Sequence, residues 1–274
     1  MMDLVPFLHF IIILTDFQVQ KSVLCFKVVK KLFLLCVFWF IILSDTKNTQ
    51  RTEKMEKKIK AVIFDLDGTL LDTLTDLAAS VNATMREFDM PEHSREDVCR
   101  FVGNGVAKLI ELALPDGKEN PSYNEALEFF KSHYAEHMYD STAPYNGITE
   151  ALDILKQEGY RLAVVSNKFD AAVKELCHRY FPEHIEIAIG ENEAAGIKKK
   201  PAPDTVIEAL GQLGLSKDDA VYVGDSDVDV HTAKNSGMPC ISVLWGFRDR
   251  DYLIREGASI FAENTQELIE LIRE

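Results

Sequence analysis

The sequence predicts an α/β protein, in which a doubly wound parallel sheet is covered by helices and a second, helical region is inserted after the first strand. Two observations predict this architecture. From residue 59 onward, short apolar runs alternate with amphipathic helical patterns, which is typical of parallel strands joined by helical crossovers. Nearly a hundred residues without a convincing strand separate the first two runs, and a simple crossover needs far fewer.

Five apolar runs are the candidate strands. Most are continuous rather than alternating, as expected for strands that are buried on both faces. A sheet built from such strands with helices on both sides is a Rossmann-like core. The predicted strands are 59–64, 161–166, 185–190, 220–224 and 240–245.

Helical periodicity fills the segments between these strands. In the inserted region, one amphipathic helix is predicted from Leu74 to Met85 and another around 106–113. Ser122 and Glu125 have the spacing of a capping box, which predicts the start of a third helix. Further helices are predicted at 148–158, 168–180, 204–213, 227–236 and 264–273.

These elements divide the chain into three predicted parts. Residues 55–73 and 144–274 are expected to form the α/β core, and residues 74–143 a helical cap domain. Residues 1–54 form an apolar N-terminal extension, whose longest apolar run is LFLLCVFWFIIL at 32–43. Such a run is short for a membrane span, because a spanning helix needs about 20 apolar residues.

We interpret residues 1–54 as a spurious or dispensable extension, with Met55 as the start of the functional protein. An N-terminal signal-anchor with snorkelling lysines is the alternative, although no small-residue cleavage site follows Leu43. A membrane partner is therefore not expected unless this segment is a real anchor.

Composition and charge narrow the classes of partner. The 274 residues are 47% hydrophobic and 27% charged, as in ordinary globular proteins. The formal net charge of −14 argues against a nucleic-acid partner. The five cysteines show no metal-ligand spacing, so they predict free thiols in a reducing, cytoplasmic compartment. The sequence does not predict the oligomeric state.

Acidic side chains follow two of the predicted strands. Asp65 and Asp67 end the first strand, and Asp225 follows the strand AVYVG. Ligands collect at the carboxyl ends of parallel strands, and two uncompensated carboxylates this close repel each other, so the site requires a cation. Hard oxygen ligands without histidine or cysteine indicate Mg²⁺ rather than zinc.

Other strand ends carry groups that suit a phosphate. Ser166 and Asn167 provide a hydroxyl and an amide at the end of RLAVVS. Lys200 provides a fixed positive charge, and we prefer it to Lys198 and Lys199 because a proline follows it. Phosphoryl transfer depends chiefly on positioning and on neutralising the phosphoryl oxygens. The combined set of carboxylates, metal, hydroxyl and lysine therefore predicts this chemistry.

Four motifs in order resemble those of the haloacid dehalogenase superfamily. They are DLDGT at 65–69, SN at 166–167, Lys200 in KPAP and GDSDVD at 224–229. The resemblance extends over residues 59–274. The helical insertion after the first motif is similar to the cap of the phosphoglycolate phosphatase-like group of that family, as are the segments FVGNGV at 101–106 and WGFR at 245–248.

This resemblance implies a role for each motif residue. Asp65 would attack phosphorus to form an aspartyl-phosphate, while Asp67 would protonate the leaving oxygen and then take a proton from water. Asp65 and Asp225, with the backbone carbonyl of Asp67, would hold Mg²⁺. Ser166 and Lys200 would bind the phosphoryl oxygens, and the cap would exclude bulk water.

Residues beside the motifs have alternative interpretations. Asn167 is counted with the substrate-binding residues. Asn104 either contacts substrate from the cap or lies in a turn that opens a helix. Asp229 is expected to support the metal ligands rather than to bind the metal. Structural roles are favoured for Asp227, Trp245 and Arg248.

The predicted function is a Mg²⁺-dependent phosphatase that acts on a small phosphorylated metabolite, and the resemblance implies 2-phosphoglycolate. A sugar-phosphate phosphatase, a phosphomutase and a pyrophosphatase are alternatives on the same scaffold. A phosphonate hydrolase would need a Schiff-base lysine in the cap, for which Lys108 and Lys118 are the candidates. A non-catalytic phosphate-binding module is the alternative from another class.

Overall fold

The computed structural model of the protein describes residues 59–192 and 196–274. The predicted N-terminal extension, residues 1–54, lies outside these described residues. Among the helices of the described ranges, none is long and apolar enough to cross a bilayer.

Eight strands and ten α-helices make up the described chain. The strands are β1 (Ala61–Phe64), β2 (Leu71–Asp72), β3 (Ala143–Pro144), β4 (Arg161–Phe169), β5 (Ile187–Glu191), β6 (Ala220–Gly224), β7 (Cys240–Val243) and β8 (Phe261–Ala262). The helices are α1 (Leu74–Glu87), α2 (Arg95–Phe101), α3 (Val106–Ala113), α4 (Tyr123–His137), α5 (Ile148–Gln157), α6 (Asp170–Tyr180), α7 (Asp204–Leu213), α8 (Asp227–Ser236), α9 (Arg250–Arg255) and α10 (Thr265–Arg273).

Six parallel strands form the central sheet, in the order β5-β4-β1-β6-β7-β8. Counted along the chain without β2 and β3, this is the order 3-2-1-4-5-6 of a doubly wound sheet. The predicted α/β class is therefore confirmed. The continuous apolar run of β1 is fully buried, as expected for a central strand with helices on both faces.

The predicted strands differ from the observed ones mainly at their ends. The strand predicted at 185–190 is observed at 187–191, so it begins two residues later than predicted. β4 continues beyond the predicted 161–166 as far as Phe169. β8 has only two residues, so its apolar pattern is too short to recognise in the sequence.

The inserted helical region, residues 74–143, is connected to the sheet by a short ribbon. β2 and β3 pair antiparallel, with Leu71 opposite Pro144 and Asp72 opposite Ala143. The buried Asp76 carboxylate of α1 accepts hydrogen bonds from the amides of Ser141 and Thr142. The entry to this region and the exit from it are therefore held side by side.

The capping box predicted at Ser122 is wrong. Ser122 makes no side-chain cap hydrogen bond at the start of α4. Its φ of −88° and ψ of 4° depart from the extended conformation in which a cap hydroxyl reaches the third helical amide. Instead, Asn120 accepts a hydrogen bond from the Ser122 amide through Oδ1 at 2.9 Å.

Helices on both faces of the sheet bury the apolar side chains. On one face, Val62 and Phe64 of β1 belong to the same buried cluster as Val81 and Met85 of α1. The inserted helical region therefore shares its apolar core with the sheet. On the other face, a smaller cluster includes Ile63, Val165, Val206, Leu210 and Tyr222.

The topology determines where a ligand can bind. β1 and β6 are neighbours in the sheet although the chain continues from them toward opposite edges. In doubly wound sheets, this switch point leaves a crevice at the carboxyl ends of the two strands. Asp65 directly follows β1, and Asp225 directly follows β6. Asp65 and Asp225, whose side chains are predicted to bind the metal, therefore lie on opposite sides of the crevice.

Candidate active site

A cavity of about 40 Å³ lies at this switch point. Six of the seven site residues predicted from the sequence line it, namely Asp65, Asp67, Ser166, Asn167, Lys200 and Asp225. Asn104 is different, because it is exposed and its neighbours Gly103 and Gly105 line the cavity in its place. The structure therefore does not bring the Asn104 side chain to the site.

Asp65 occupies the end of the central strand. Its amide donates to the carbonyl of Val223 at 2.9 Å, which holds the residue against β6. Its carboxylate Oδ1 accepts from the Leu66 amide at 2.7 Å and lies 2.8 Å from Lys200 Nζ. Burial, together with the charges of Asp229 and Asp225, raises the pKa of Asp65 well above its ordinary value, although Lys200 opposes this increase.

Asp225 lies across the crevice and is only 1% exposed. Its Oδ1 accepts from the Thr69 hydroxyl at 3.0 Å, and its Oδ2 accepts from the Phe247 amide at 2.7 Å. Burial, followed by the charge of Asp229, raises the pKa of Asp225 to about 7. The three buried carboxylates of Asp65, Asp225 and Asp229 therefore outnumber the one ammonium group, that of Lys200, which pairs with Asp65 and Asp229.

Asp229 lies behind these two carboxylates and has no remaining coordination capacity. Its Oδ1 accepts from Lys200 Nζ at 2.8 Å and from the Tyr222 hydroxyl at 2.9 Å. Its Oδ2 accepts from the Ser226 amide at 3.0 Å and from the Ser226 hydroxyl at 2.6 Å. Burial opposes ionisation, but Lys200 and these hydrogen bonds lower the pKa of Asp229. Four donors occupy the roughly four lone-pair positions of a carboxylate.

The acidic cluster fits a metal ion. Single carboxylate oxygens of Asp65, Asp225 and Asp229 lie within 4.8 Å of one another. Because Asp229 is saturated by donors, the oxygens of Asp65 and Asp225 are the available ligands. Buried oxygen ligands without nitrogen or sulfur suit a hard divalent cation. Burial, followed by the charges of neighbouring carboxylates, raises the pKa values of Asp65 and Asp225, and a bound cation would offset both effects because it favours the ionised forms.

Two glycines shape the surroundings of Asp225. A Cβ atom at Gly68 would lie 2.4 Å from Asp225 Oδ2, and Gly68 has a φ of +85°. A Cβ atom at Gly246 would lie 2.3 Å from Asp225 Cβ. Neither position has space for a side chain, so the backbone packs directly around this carboxylate. This close approach explains why glycine follows Asp67 in the sequence.

Lys200 provides the buried positive charge of the site. Of the three consecutive lysines, Lys200 is the one in the cavity wall and is 2% exposed, whereas Lys198 is exposed. Burial alone would lower the pKa of Lys200, but Asp229 and Asp65 raise it above its ordinary value. Lys200 is therefore held permanently charged, next to the carboxylate of Asp65.

Ser166 and Asn167 differ in what their side chains do. The Ser166 hydroxyl lines the cavity and accepts a hydrogen bond from the Lys168 amide at 3.3 Å. The Asn167 amide nitrogen donates to the carbonyl of Gly103 at 3.0 Å and to that of Lys200 at 2.9 Å. Asn167 therefore connects the inserted helical region to the core, a role that the sequence did not indicate.

The surroundings of Asp67 include a residue that sequence reasoning missed. Its Oδ1 accepts from the Thr73 hydroxyl at 2.7 Å. Lys168 Nζ lies 2.9 Å from Oδ1 and 3.1 Å from Oδ2. Burial would lower the pKa of Lys168, but Asp67 raises it above its ordinary value. The available signal was a lysine directly after the apolar run LAVV and the SN motif, in the strand RLAVVSNKF, whose interior is buried.

The inserted helical region contributes apolar surface to the cavity. Its lining residues are Leu77, Val102, Gly103, Gly105, Val106 and Leu109. Lys108 and Lys118, the Schiff-base candidates, both pair with Glu111 and are absent from the described cavity wall. The structure therefore does not support a cap lysine in the reaction.

The loop after β7 connects the two regions. Trp245 Nε1 donates to the carbonyl of Thr69 at 3.0 Å. The Arg248 guanidinium donates to the carbonyls of Cys99 and Val102 at 2.8 Å each, at the end of α2. Arg248 also lines the cavity. It is therefore a core residue that fastens the inserted helical region next to the site.

Residues 62–243 match the model of a protein family described as haloacid dehalogenase-like hydrolase. A phosphoglycolate phosphatase from Aquifex aeolicus is 33% identical over 190 residues, which cover 69% of this chain and 86% of that protein. A phosphoglycolate phosphatase from Chromobacterium violaceum is 31% identical over 222 residues, covering 79% of this chain and 98% of that protein.

Solved structures agree with these relatives. A crystal structure from Lactobacillus delbrueckii subsp. bulgaricus, of a protein proposed to be a phosphoglycolate phosphatase, has a TM-score of 0.75 and 36% sequence identity. The match covers 79% of this chain and 99% of that one. The solved chain therefore shares the fold of this protein over nearly its whole length.

Proposed function

The chain belongs to the haloacid dehalogenase-like hydrolases and is a phosphoric monoester hydrolase, and on that premise we propose that it hydrolyses a small phosphomonoester, with 2-phosphoglycolate as its leading substrate. The observation that carries this proposal is the 2.8 Å contact between Asp65 Oδ1 and Lys200 Nζ in the wall of the cavity. A nucleophilic carboxylate and a fixed cation are thereby held side by side in the cavity wall. A phosphoryl group bound in the cavity could contact both of them and Ser166 at the end of a neighbouring strand.

In the proposed reaction, a carboxylate oxygen of Asp65 attacks phosphorus and forms an aspartyl-phosphate, while the bond between phosphorus and the ester oxygen breaks. Asp67 gives a proton to that leaving oxygen. A water then attacks phosphorus, Asp67 takes the proton of this water, and the phosphate leaves Asp65. The same carboxyl group therefore serves as acid and then as base.

Lys200 and Ser166 hold the transferring group. The buried Lys200 ammonium remains charged because Asp229 and Asp65 raise its pKa. A fixed cation in a cavity shielded from water stabilises phosphoryl oxygens more strongly than it would in bulk solvent. The Ser166 hydroxyl adds a hydrogen-bond donor at the end of the neighbouring strand.

Mg²⁺ is the proposed cofactor, held by Asp65 and Asp225 with the backbone carbonyl of Asp67. When bound, it neutralises negative charge on the phosphoryl oxygens and on the carboxylates. Asp229 holds Lys200 and the turn at Ser226 in place rather than binding the ion, because its oxygens are already saturated.

The inserted helical region, residues 74–143, is proposed to act as the cap of the site. Its apolar wall excludes bulk water from the aspartyl-phosphate. The described cysteines Cys99, Cys177 and Cys240 are free, in keeping with the reducing, cytoplasmic compartment predicted from the sequence.

The test is phosphate release by the full chain and by residues 55–274, each with and without Mg²⁺. The substrates are 2-phosphoglycolate, sugar phosphates, pyrophosphate and phosphonoacetaldehyde, and Asp65→Asn is assayed beside the wild type. We expect metal-dependent turnover that is fastest on 2-phosphoglycolate and that Asp65→Asn abolishes.

Other outcomes separate the alternatives. Faster turnover of a sugar phosphate or of pyrophosphate would retain the chemistry and replace the substrate. A folded protein that takes up phosphate from acetyl phosphate at Asp65 but turns over none of the substrates would contradict the enzyme proposal and favour a phosphate-binding module.

A further inference from the structure

The wall of the cavity contains a second buried cation, Lys168, for which the proposed reaction has no role. Its side chain is 3% exposed, and it lines the cavity beside Asn167. An ammonium group this deeply buried is costly unless it has a charged partner. The partner of Lys168 therefore indicates its function.

That partner is the carboxylate of Asp67. Lys168 Nζ contacts both oxygens, at 2.9 Å and 3.1 Å, and the Thr73 hydroxyl donates to Oδ1 at 2.7 Å. The two donors come from different parts of the chain, since Lys168 is the penultimate residue of β4 and Thr73 precedes α1. Together they determine the direction in which the Asp67 carboxylate points.

Lys168 also contacts the inserted helical region. Its Nζ lies 4.5 Å from the ring centroid of Tyr134 on α4, which is within the range of a cation–π interaction. Tyr134 is completely buried, stacks on Phe130 at 5.7 Å and packs edge-on against Phe169 at 6.4 Å. The ring therefore gives Lys168 a fixed support that belongs to the helical region.

We propose that Lys168 is a positioning residue, which aims the Asp67 carboxyl group at the ester oxygen of the substrate, and that Tyr134 of the inserted helical region holds Lys168 in place. The inference rests on the proposed function and extends it, because Lys168 acts through Asp67 rather than on the phosphate.

Geometry explains why such a residue matters. Proton transfer requires the donor and acceptor atoms to be about 2.6–3.2 Å apart, and a displacement of about 1 Å can cost about 100-fold in rate. Because Tyr134 supports the ammonium group, Asp67 is correctly aimed when the helical region is seated on the core. Proton transfer is thereby coupled to the position of that region.

The test uses the full-length enzyme with Mg²⁺ and two substrates, 2-phosphoglycolate and phenyl phosphate, which has no carboxylate. Lys168→Met removes the charge and keeps most of the length of the side chain, and Lys168→Arg restores a cation. Lys174→Met is the matched control, because Lys174 forms an exposed ion pair on α6 that lies away from the cavity.

We expect Lys168→Met to lower kcat roughly 10- to 100-fold on both substrates, with KM changed less than twofold. Lys168→Arg should recover part of that loss, and Lys174→Met should match the wild type. Tyr134→Leu, which removes the ring face, should lower kcat more than Tyr134→Phe, which keeps it. Circular dichroism reports whether each variant is folded. If Lys168→Met does not fold, Lys168→Arg and the Tyr134 pair provide the test.

Two results would overturn the inference. One is a kcat for Lys168→Met within twofold of the wild type. The other is a KM that rises tenfold or more for 2-phosphoglycolate alone, since Lys168 would then bind the substrate carboxylate instead of aiming Asp67. A wild-type enzyme without turnover of any phosphomonoester would contradict the proposed function itself, and is distinguishable from both results.

Discussion

The carboxyl edge of the sheet and the inserted helical region line the same cavity with opposite chemistry. Every titratable side chain in the described wall comes from the core, including three aspartates, two lysines and Arg248. The inserted helical region, residues 74–143, contributes aliphatic side chains and two glycines. The core therefore provides the charged side chains of the cavity wall, and the inserted helical region provides apolar surface.

The difference has a physical cause. A buried charge needs partners with fixed geometry, and the core supplies them, as when Lys200 contacts both Asp65 after β1 and Asp229 on α8 at 2.8 Å. An apolar wall needs no such partners and can change without leaving a charge unpaired. We therefore infer that the core carries the reacting groups, whereas the helical region can influence which substrate fits.

The strongest challenge to this division is Lys200→Met, which removes the central cation of the core. Asp229 would be left buried and without its cationic partner, and breaking such a pair costs about 3–5 kcal/mol. We expect this loss in the free energy of unfolding from urea titration, together with loss of turnover beyond about 1,000-fold. The exposed pair of Lys174 and Asp170 provides the control, since Lys174→Met should cost at most about 1 kcal/mol. Equal effects of the two substitutions would contradict the special importance of the buried charge at Lys200.

The pH dependence of metal binding tests the carboxylates at the carboxyl edge of the sheet. The folded, metal-free protein holds the pKa of Asp225 at about 7, above its ordinary 3.8. Burial also raises the pKa of Asp65, the other proposed ligand. Protons therefore compete with Mg²⁺ for both carboxylates, and we expect the apparent affinity to decrease as the pH falls through 7. Calorimetry in buffers of different ionisation enthalpy should detect more protons released on binding at pH 6 than at pH 8.5. An affinity that does not change with pH would contradict the assignment of these carboxylates as the ligands.

A substitution at Gly105 tests how closely the inserted helical region packs against the core. A Cβ atom there would lie 2.8 Å from Glu191 Oε2 and 3.2 Å from the carbonyl oxygen of Asn167. Gly105→Ala should therefore push α3 away from the core and lower kcat/KM about tenfold, with kcat changed less. Gly159→Ala is the matched control, because Gly159 has a φ of +87°, close to the +84° of Gly105, and nothing within 4 Å. If both variants lose activity equally, backbone strain rather than the contact is responsible.

The smallest expected effect is that of Arg248, the core residue that fastens α2. Arg248→Met removes two hydrogen bonds to the carbonyls of Cys99 and Val102. We expect this loss to destabilise the packing of the helical region on the core by about 1 kcal/mol, which corresponds to a roughly fivefold higher KM. Hydrogen exchange should show faster exchange of amides in α2, with those of β1 unchanged. Unchanged exchange in α2 would mean that other contacts hold the region in place.

Much of the architecture could be predicted from local patterns. The apolar runs of β1, β4 and β6 are long enough to recognise, and in a parallel sheet their carboxyl ends meet at one edge. This rule predicts that Asp65, Ser166 and Asp225 lie close together, and it requires no knowledge of how the side chains pack. β8 has two residues and the capping box at Ser122 depended on backbone angles, so neither could be predicted correctly from the sequence.

The sequence by itself determined the sheet and the carboxylates at its strand ends, because these follow from periodicity and from a general rule of topology, whereas Lys200 is indicated by the proline that follows it and by the resemblance to a known family. Tertiary structure alone decided how the groups are paired. Lys168 and Asp67 are 101 residues apart in the chain, and Asn167 reaches Gly103 across 64 residues. Such pairs depend on how the helical region packs on the sheet, which is a property of the whole fold and leaves no mark in a local pattern.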